Sequence, residues 1–210
     1  MKFISRFLFA VIVAISISGA VRAQDTNAAP DDSGAKYTKV IEGRTADILK
    51  VLDITNADTQ IRVHDIIIAQ YRALNAWHTE NDAKLKASKS DTNATAQIRA
   101  SLKTIHNDFL TNLAQNLTPD QVEKVKDKMT YGKVQFTYKG YISQYPALSE
   151  ENKEKILDLL KEAREEAMDG GSSAEKTAVF TRYKGKINNY LSKQGLHPEK
   201  PKKDVSTNNE

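Results

Sequence analysis

The side chains best suited to binding chemistry lie in the C-terminal half of the sequence. Sugar recognition uses flat apolar faces against the C–H side of a ring, and amide, carboxylate or guanidinium groups for its hydroxyls. Six of the eight tyrosines lie in this half, interleaved with basic and amide side chains: Tyr131, Tyr138, Tyr141, Tyr145, Tyr183 and Tyr190. Five residues off the apolar stripes are predicted to bind a ligand: Tyr131, Asp169, Arg182, Lys184 and Asn188. Helical spacing leaves a second interpretation open, in which most of these tyrosines are core residues and the polar face is solvated.

The stretch AMDGGSSAEK at residues 167–176 places two glycines beside two serines. Gly170 is predicted to cap the preceding helix and a serine to cap the following one, with Ser172 and Glu175 in capping-box register. This assignment explains the stretch without a ligand. In the alternative, Gly171 leaves the first amides of the following helix open to an acidic or hydroxylated ligand. Gly170 and Gly171 therefore join the predicted ligand-binding residues.

Carboxylates are the candidates for catalysis, because glycoside hydrolysis uses two of them at a defined separation across a cleft. One helix face carries four: Glu162, Glu165, Glu166 and Asp169. They could supply such a pair, or they could form a charged surface with Lys161 and Arg164. The sequence contains no G-x-S-x-G, no P-loop and no dinucleotide fingerprint. No catalytic residue is predicted, and a non-catalytic protein is favoured.

Two histidines, His78 and His106, fall on or beside the apolar stripes of their helices. Each is predicted to be a hydrogen-bonded core residue or half of an interhelical polar pair with Asn75 or Asp108. The sequence has no cysteine and no H-x-x-x-H or E-x-x-H spacing of the kind that binds zinc. We therefore predict neither a metal nor a cofactor.

Amphipathic helices must position these groups, because apolar residues recur with helical spacing along residues 36–196. The clearest stripe is Ile98, Leu102, Ile105, Phe109 and Leu113. The stretch 131–146 alternates like a strand in part, but a lone strand would have no partner, and we predict a helix there. The sequence thus predicts an all-α, single-domain bundle of six or seven helices, preceded by a flexible lead at 24–35 and followed by a disordered tail at 197–210.

Local capping signals predict where several of these helices begin. In LTPDQ, Thr118 is the expected N-cap, Pro119 occupies the first helical position and Gln121 completes a capping box. In LSEEN, Ser149 is the expected N-cap. An Asn56/Asp58 signal precedes another helix.

Residues 1–23 have the pattern of a cleaved signal peptide. Lys2 and Arg6 precede a short apolar run, and a small-x-small site ends at Ala23. The run is shorter than the ~20 residues of a spanning helix, so we expect a periplasmic or secreted protein without a membrane segment after cleavage. Removal of this leader leaves 28 basic and 27 acidic residues, a net charge of +1. This balance provides no footprint for nucleic acid.

Three stretches carry a family resemblance: VHDIIIAQYRALNAWH at 63–78, HNDFLTNLAQNLTPDQVEKVKDKMTYG at 106–132 and EAREEAMDGGSSAEKTAVFTRYKGKINNYLSKQG at 162–195. Together they resemble a secreted Bacteroidetes family, domain-of-unknown-function family 3826, which is described as sugar-binding. The resemblance covers nearly the whole mature chain. It implies a carbohydrate partner and a non-catalytic role in carbohydrate binding or utilisation.

A second likeness involves only Leu117, Thr118 and Gln121, which fit the Leu-Thr-x-x-Gln helix starts of periplasmic helical chaperones and metal-stress proteins. It implies an alternative role as a periplasmic chaperone or partner-binding protein. A glycosidase-type enzyme is the third hypothesis. The sequence provides no basis for predicting an oligomeric state.

Overall fold

The structure, a computed structural model, describes residues 32–199. Within this range the chain forms seven helices and no strand: α1 (Asp32–Leu49), α2 (Ala57–Ala87), α3 (Thr92–Ala114), α4 (Pro119–Met129), α5 (Lys133–Gln144), α6 (Glu150–Met168) and α7 (Ser173–Lys193). The predicted all-α bundle of six or seven helices is confirmed. The predicted signal peptide, residues 24–31 of the predicted lead and residues 200–210 of the predicted tail lie outside the described residues.

Hydrogen bonds from side chains to backbone amides mark the helix starts. Asn56 accepts from the Thr59 amide at 2.9 Å, and Ser149 accepts from the Asn152 amide at 3.2 Å. Thr118 and Gln121 form the complete capping box with Pro119 in the first turn. These caps are confirmed, because each satisfies backbone donors that have no partner within the first turn.

The helix predicted for 131–146 is also confirmed, as α5. Its Val134, Thr137 and Tyr141 side chains are buried at a spacing typical of a helix face. The backbone leaves helical geometry at Tyr145, directly before Pro146. Proline has no N–H and disfavours helical geometry in the preceding residue, which explains the end.

Some boundaries differ from the sequence pattern. The first helix begins at Asp32, within the predicted flexible lead. Once a helix has formed, each residue added to its end gains one backbone hydrogen bond, so the helix can extend beyond its packed apolar stripe. The stretch KASKSDTNAT at 86–95 has the composition of a linker, but the connection between α2 and α3 is limited to residues 88–91, with Asp91 as the N-cap. At the other end, the Glu199 amide donates to the Gln144 carbonyl at 2.8 Å, so the start of the predicted tail contacts α5.

Two main apolar clusters hold the helices together. The first core joins α1, α2, α3 and α4 through buried residues such as Ile41, Ile67 and Leu113. The second core joins α5, α6 and α7 and includes Leu160 and Phe180. Each fully buried side chain of this size contributes about 1.5–3 kcal/mol of transfer free energy.

Contacts from α6 connect the two cores. Met168, the last residue of α6, lies in the first core although its helix packs mainly in the second. A smaller cluster of Leu74, Trp77 and Leu102 extends the contact between α2 and α3. Among residues 32–199, the helices lack the combination of length and apolar character needed to cross a bilayer.

Candidate functional site

The predicted ligand-binding residues are distributed over three cavities that share no lining residue. Tyr131 lines the corner cavity, between α1, α2, α4 and the turn before α5. Asp169, Gly170 and Arg182 line the joint cavity, beside the connection between α6 and α7. Lys184 and Asn188 line the α5–α7 cleft. The structure therefore brings Asp169, Gly170 and Arg182 together at the joint cavity. Lys184 and Asn188 meet in the α5–α7 cleft, and Tyr131 lies apart from both groups.

The corner cavity has a volume of about 680 Å³. Its wall combines two aromatic rings with cationic and anionic groups: Arg44, Asp47, Ile48, Val51, Tyr71, Lys124, Asp127, Lys128, Tyr131 and Gly132. Pre-formed concavities with apolar walls and a few polar groups are typical of small-molecule binding sites. Of the predicted residues, only Tyr131 lies here.

Tyr131 is held at the cavity by the end of α4. The Gly132 amide donates to the Asp127 carbonyl at 2.8 Å, and the Tyr131 amide donates to the Lys128 carbonyl at 3.1 Å. These two bonds form a Schellman motif, whose left-handed position is usually glycine. Here that position is Tyr131, with φ of 59°, and its side chain remains 48% exposed. A bulky residue in this conformation costs on the order of 1 kcal/mol, and glycine follows it only one position later.

Two charged groups of the corner cavity have partners that orient them: Arg44 and Asp127. The Arg44 guanidinium carbon lies 5.9 Å from the centre of the Tyr71 ring, a cation–π arrangement. Burial raises the pKa of Tyr71 to about 12, so its phenol stays protonated and can donate a hydrogen bond. Asp127 accepts from the Arg164 guanidinium at 2.6 Å, which orients that carboxylate. The wall thus presents donors and acceptors in fixed positions.

At the joint between α6 and α7, two histidines bind Asp169. The Nε2 atom of His78 lies 2.7 Å from the Asp169 carbonyl oxygen, and Nδ1 of His106 lies 2.9 Å from the Asp169 carboxylate. The hydrogen bond to Asp169 raises the pKa of His106, and burial opposes this shift. The Asp169 carboxylate is therefore engaged in an interhelical contact between α3 and the joint.

The two glycines of the joint are explained by close packing. Gly170 does not have the left-handed backbone expected of a helix-capping glycine, and Asp169 is the C-cap instead, with φ of −83°. A β-carbon on Gly170 would lie 3.1 Å from Lys176 Cγ, and one on Gly171 would lie 2.7 Å from His78 Cγ. The prediction of Gly170 as the cap was therefore wrong. The two glycines instead let the backbone pass close to the side chains of Lys176 and His78.

Two backbone amides at the start of α7 have side-chain partners. Ser172 is the N-cap and accepts from the Glu175 amide at 3.2 Å, while the Glu175 carboxylate accepts from the Gly171 amide at 2.8 Å. The Ser172 and Glu175 pairing predicted from the sequence is present, although the returning bond reaches Gly171 and not Ser172. The Gly171 and Glu175 amides are therefore not open to a ligand.

Gly171→Ala should lower the free energy of unfolding by about 1–3 kcal/mol, because the added methyl group must displace the partly buried His78 ring. Gly185→Ala is the matched control, since a β-carbon at this helical position meets no atom within 4 Å. That change should stabilise α7 by roughly 0.5–1 kcal/mol. Urea unfolding followed by circular dichroism measures both, and equal effects of the two changes would contradict the packing at the joint.

Lys184 and Asn188 share the α5–α7 cleft, which has a volume of about 630 Å³. The Tyr141 hydroxyl donates to Asn188 Oδ1 at 2.8 Å and lies 3.2 Å from the Lys184 carbonyl. Asn188 therefore helps to fasten α7 to α5. The exposed Phe136 ring also lines this cleft.

The two histidines for which interhelical polar pairs are predicted have other partners in the structure. His78 contacts Asp82 and not Asn75, and His106 contacts Asp169 and not the exposed Asp108.

The carboxylates of the α6 face lie beside cations. Glu165 lies 3.2 Å from the Lys126 amine, and Glu166 lies 2.5 Å from the Arg182 guanidinium. Glu162 is exposed. This part of α6 is a paired, charged surface.

Sequence reasoning missed the residues that complete the corner cavity and the partner of His78. The helical pattern places Arg44 on a polar face and Tyr71 on an apolar stripe. No local sequence signal therefore identifies either residue as part of a binding site. The four-residue spacing of His78 and Asp82 is visible in the sequence, because such residues share a helix face. This H-x-x-x-D spacing differs from the H-x-x-x-H and E-x-x-H patterns that predict zinc sites.

Comparisons with known proteins provide a family and no function. The search of curated proteins found no match. A family model described as "Protein of unknown function (DUF3826)" matches residues 38–209, which includes all helices from α2 to α7 and most of α1. Since this match covers most of the chain, the protein belongs to the DUF3826 family.

Proposed function

We propose that this protein is an exported, non-catalytic carbohydrate-binding protein and that the corner cavity is its binding site. The observation that carries the proposal is the position of Tyr131. A half-exposed aromatic ring occupies a left-handed helix end where glycine would be more stable, and it lines a cavity of about 680 Å³. Strain of this kind persists in folded proteins mainly where it serves binding or catalysis.

The chemistry of the cavity suits a sugar ring. Tyr131 and Tyr71 supply apolar faces, and the protonated Tyr71 hydroxyl supplies a donor. Arg44 and Lys128 add cationic donors, while Asp47 is an acceptor. Hydroxyl groups both donate and accept, so a wall of mixed donors and acceptors fits them better than it fits a purely anionic or apolar ligand.

Sequence observations support the remaining parts of the proposal. The leader pattern at residues 1–23 supports export to the periplasm or beyond. The resemblance to a secreted, sugar-binding Bacteroidetes family supports a carbohydrate as the ligand. Glu165 and Glu166 on α6 form ion pairs with Lys126 and Arg182. We therefore assign these two carboxylates a structural role and not a role in hydrolysis.

Tyr131→Gly is the decisive variant, because it should separate stability from binding. Removing the side chain relieves the left-handed strain and should raise the free energy of unfolding by up to about 1 kcal/mol. It should also weaken sugar binding at least tenfold, equivalent to about 1.4 kcal/mol. Binding is measured by calorimetry with the oligosaccharide selected on an array of neutral and uronic acid glycans.

Lys184→Ala, in the α5–α7 cleft, is the matched control and should leave the affinity unchanged. Arg44→Ala, in the corner cavity, should weaken binding in the same direction as Tyr131→Gly. Full affinity in Tyr131→Gly together with loss in Lys184→Ala would place the site in the cleft. An array without any bound glycan would remove the carbohydrate assignment itself.

A further inference from the structure

We propose that His78, Asp82 and Glu175 form a binding site for a divalent first-row transition metal ion such as Zn²⁺. The site joins α2, which carries His78 and Asp82, to the first turn of α7, which carries Glu175. One potential ligand atom from each residue lies within 4.8 Å of the other two. We call these three residues the joint triad. The inference is independent of the carbohydrate proposal, since none of the three lines the corner cavity.

The backbone of the joint determines which ring nitrogen of His78 is available. Nε2 lies 2.7 Å from the carbonyl oxygen of Asp169. A carbonyl oxygen only accepts hydrogen bonds, so Nε2 must carry the proton. With the Nε2 proton held by this carbonyl, Nδ1 is the ring nitrogen that can bind a metal ion. Metal-binding histidines are commonly oriented in this way, with the second nitrogen donating to a carbonyl or carboxylate.

Two carboxylates converge on that Nδ1 atom. Asp82 Oδ1 lies 2.9 Å and Glu175 Oε2 lies 3.9 Å from Nδ1 of His78. A metal cation between these three atoms would offset the repulsion between the two carboxylates. A proton on Nδ1 would bond Asp82 but leave Glu175 beyond hydrogen-bond distance. A metal ion between the three atoms would satisfy all of them, since Zn²⁺ binds nitrogen and oxygen at about 2.0–2.2 Å.

Surrounding contacts hold two of the ligands in place. The Gly171 amide donates to Glu175 Oε2 at 2.8 Å, which orients the carboxylate and leaves its other lone pairs free to bind. The His78 ring is enclosed by Gly171, where even a β-carbon would approach within 2.7 Å, and by the edge of Trp77, with ring centres 5.0 Å apart. The imidazole therefore has little freedom to turn away from the carboxylates.

His64 contacts two carboxylates in a different arrangement. Its Nδ1 lies 3.0 Å from Asp65 and its Nε2 lies 2.8 Å from Glu42, on opposite sides of the ring. The hydrogen bonds to these carboxylates, that to Asp65 first, raise the pKa of His64. Each nitrogen contacts one carboxylate, and within residues 32–199 His64 does not belong to a group of three potential ligands. His64 is therefore the natural control for the joint triad.

The donor set indicates the class of ion. One imidazole nitrogen suits zinc and other first-row transition metals, whereas calcium and magnesium prefer oxygen ligands alone. The two carboxylates balance the charge of a divalent ion. Asp82 and Glu175 are about half exposed, and the neighbouring joint cavity of about 290 Å³ leaves room for water or a small anion to complete the coordination.

Calorimetric titration of the purified protein with Zn²⁺ tests the site, and we expect one ion per chain. The double change Asp82→Asn and Glu175→Gln should weaken binding at least about 100-fold, since loss of outer-shell partners alone costs about 10–100-fold. Both replacements keep the side-chain size and the Gly171 hydrogen bond, so the fold should survive. His64→Gln should leave the Zn²⁺ affinity unchanged.

Visible absorption of the Co²⁺-loaded protein is the second readout. The spectrum should show d–d bands that the double variant lacks and the His64→Gln variant keeps. Calcium at the same concentration should not compete. The proposal would be overturned by the absence of one-to-one Zn²⁺ binding, by unchanged binding in the double variant, by loss in His64→Gln, or by equal affinity for Ca²⁺.

Discussion

Replacing Arg164 by alanine should lower the free energy of unfolding by about 3 kcal/mol. The Arg164 side chain is only 4% exposed, and its guanidinium binds Asp127 and Glu123 on α4 as well as Glu165 on its own helix. Removal of one partner from a buried ion pair typically costs 3–5 kcal/mol. We expect the lower end, because Glu123 and Asp127 remain 46% and 35% exposed and can be rehydrated.

The loss also reflects the position of Arg164 between the two cores. It links α6, which packs in the second core, to α4, which packs in the first. The buried stem of the side chain adds apolar contact that alanine removes.

Arg182→Ala is the matched control for Arg164→Ala. The Arg182 guanidinium also binds an α6 carboxylate, Glu166, but the two side chains are 52% and 44% exposed. An exposed pair contributes about 0–1 kcal/mol, so the control should change stability by no more than that. Urea unfolding followed by circular dichroism measures both variants. Losses of equal size would contradict the link between the cores assigned to Arg164.

The stability of the protein should rise with pH above pH 8 because of Lys176. Its side chain is buried in the fold, and its amine lies 3.2 Å from the Met129 carbonyl and 3.3 Å from the Met168 carbonyl. Burial lowers the pKa of Lys176 to about 8, helped by the nearby Arg44 and opposed by Asp169 and Glu175.

The direction of the pH effect follows from proton binding in the two states. An unfolded lysine has a pKa of about 10.4, so between the two values the unfolded chain binds more protons than the folded one. Stability therefore increases with pH in this window. The gain attributable to Lys176 should be roughly 1.5 kcal/mol from pH 8 to pH 9.5, and roughly 3 kcal/mol once the unfolded lysine has also lost its proton.

Lys176→Met isolates this contribution, because the difference between wild type and variant cancels the other titrating groups. Those groups include Tyr71 and Tyr141, because burial raises the pKa of each to about 12. As the pH approaches 10, these two tyrosines lower the stability of the folded state and so oppose the effect of Lys176. Wild-type stability relative to Lys176→Met should increase by roughly 1.5 kcal/mol between pH 8 and pH 9.5. The exposed Lys184→Met should show no such change. Parallel stability curves for wild type and Lys176→Met would contradict the assignment.

Helix content and several helix starts could be read from the sequence. The capping residues Asn56, Thr118, Ser149 and Ser172 act within four residues of their partners, so the information lies in a short window. The choice of a helix for α5 likewise rested on a local spacing. These features depend on the chain within one or two turns, and a periodic pattern is sufficient to predict them.

The candidate site could be predicted only in part. Tyr131 was singled out as a residue off the apolar stripe, and the structure places it at a cavity. Its neighbours Arg44 and Tyr71 precede it in the sequence by 87 and 60 residues and lie on helices that carry no ligand pattern. Asp169 was expected to face a ligand, but two histidines from α2 and α3 bind its carbonyl and carboxylate.

Composition and helical periodicity were enough to predict a helical bundle with most of its tyrosines in the C-terminal half of the sequence. The assignment of those residues to three separate cavities required the packing of the helices. Side chains on different helices meet according to the crossing angle and axial offset of the pair, which depend on shape complementarity over the whole contact. No short stretch of residues encodes that relation, so the joint triad and the corner cavity become visible only in the folded chain.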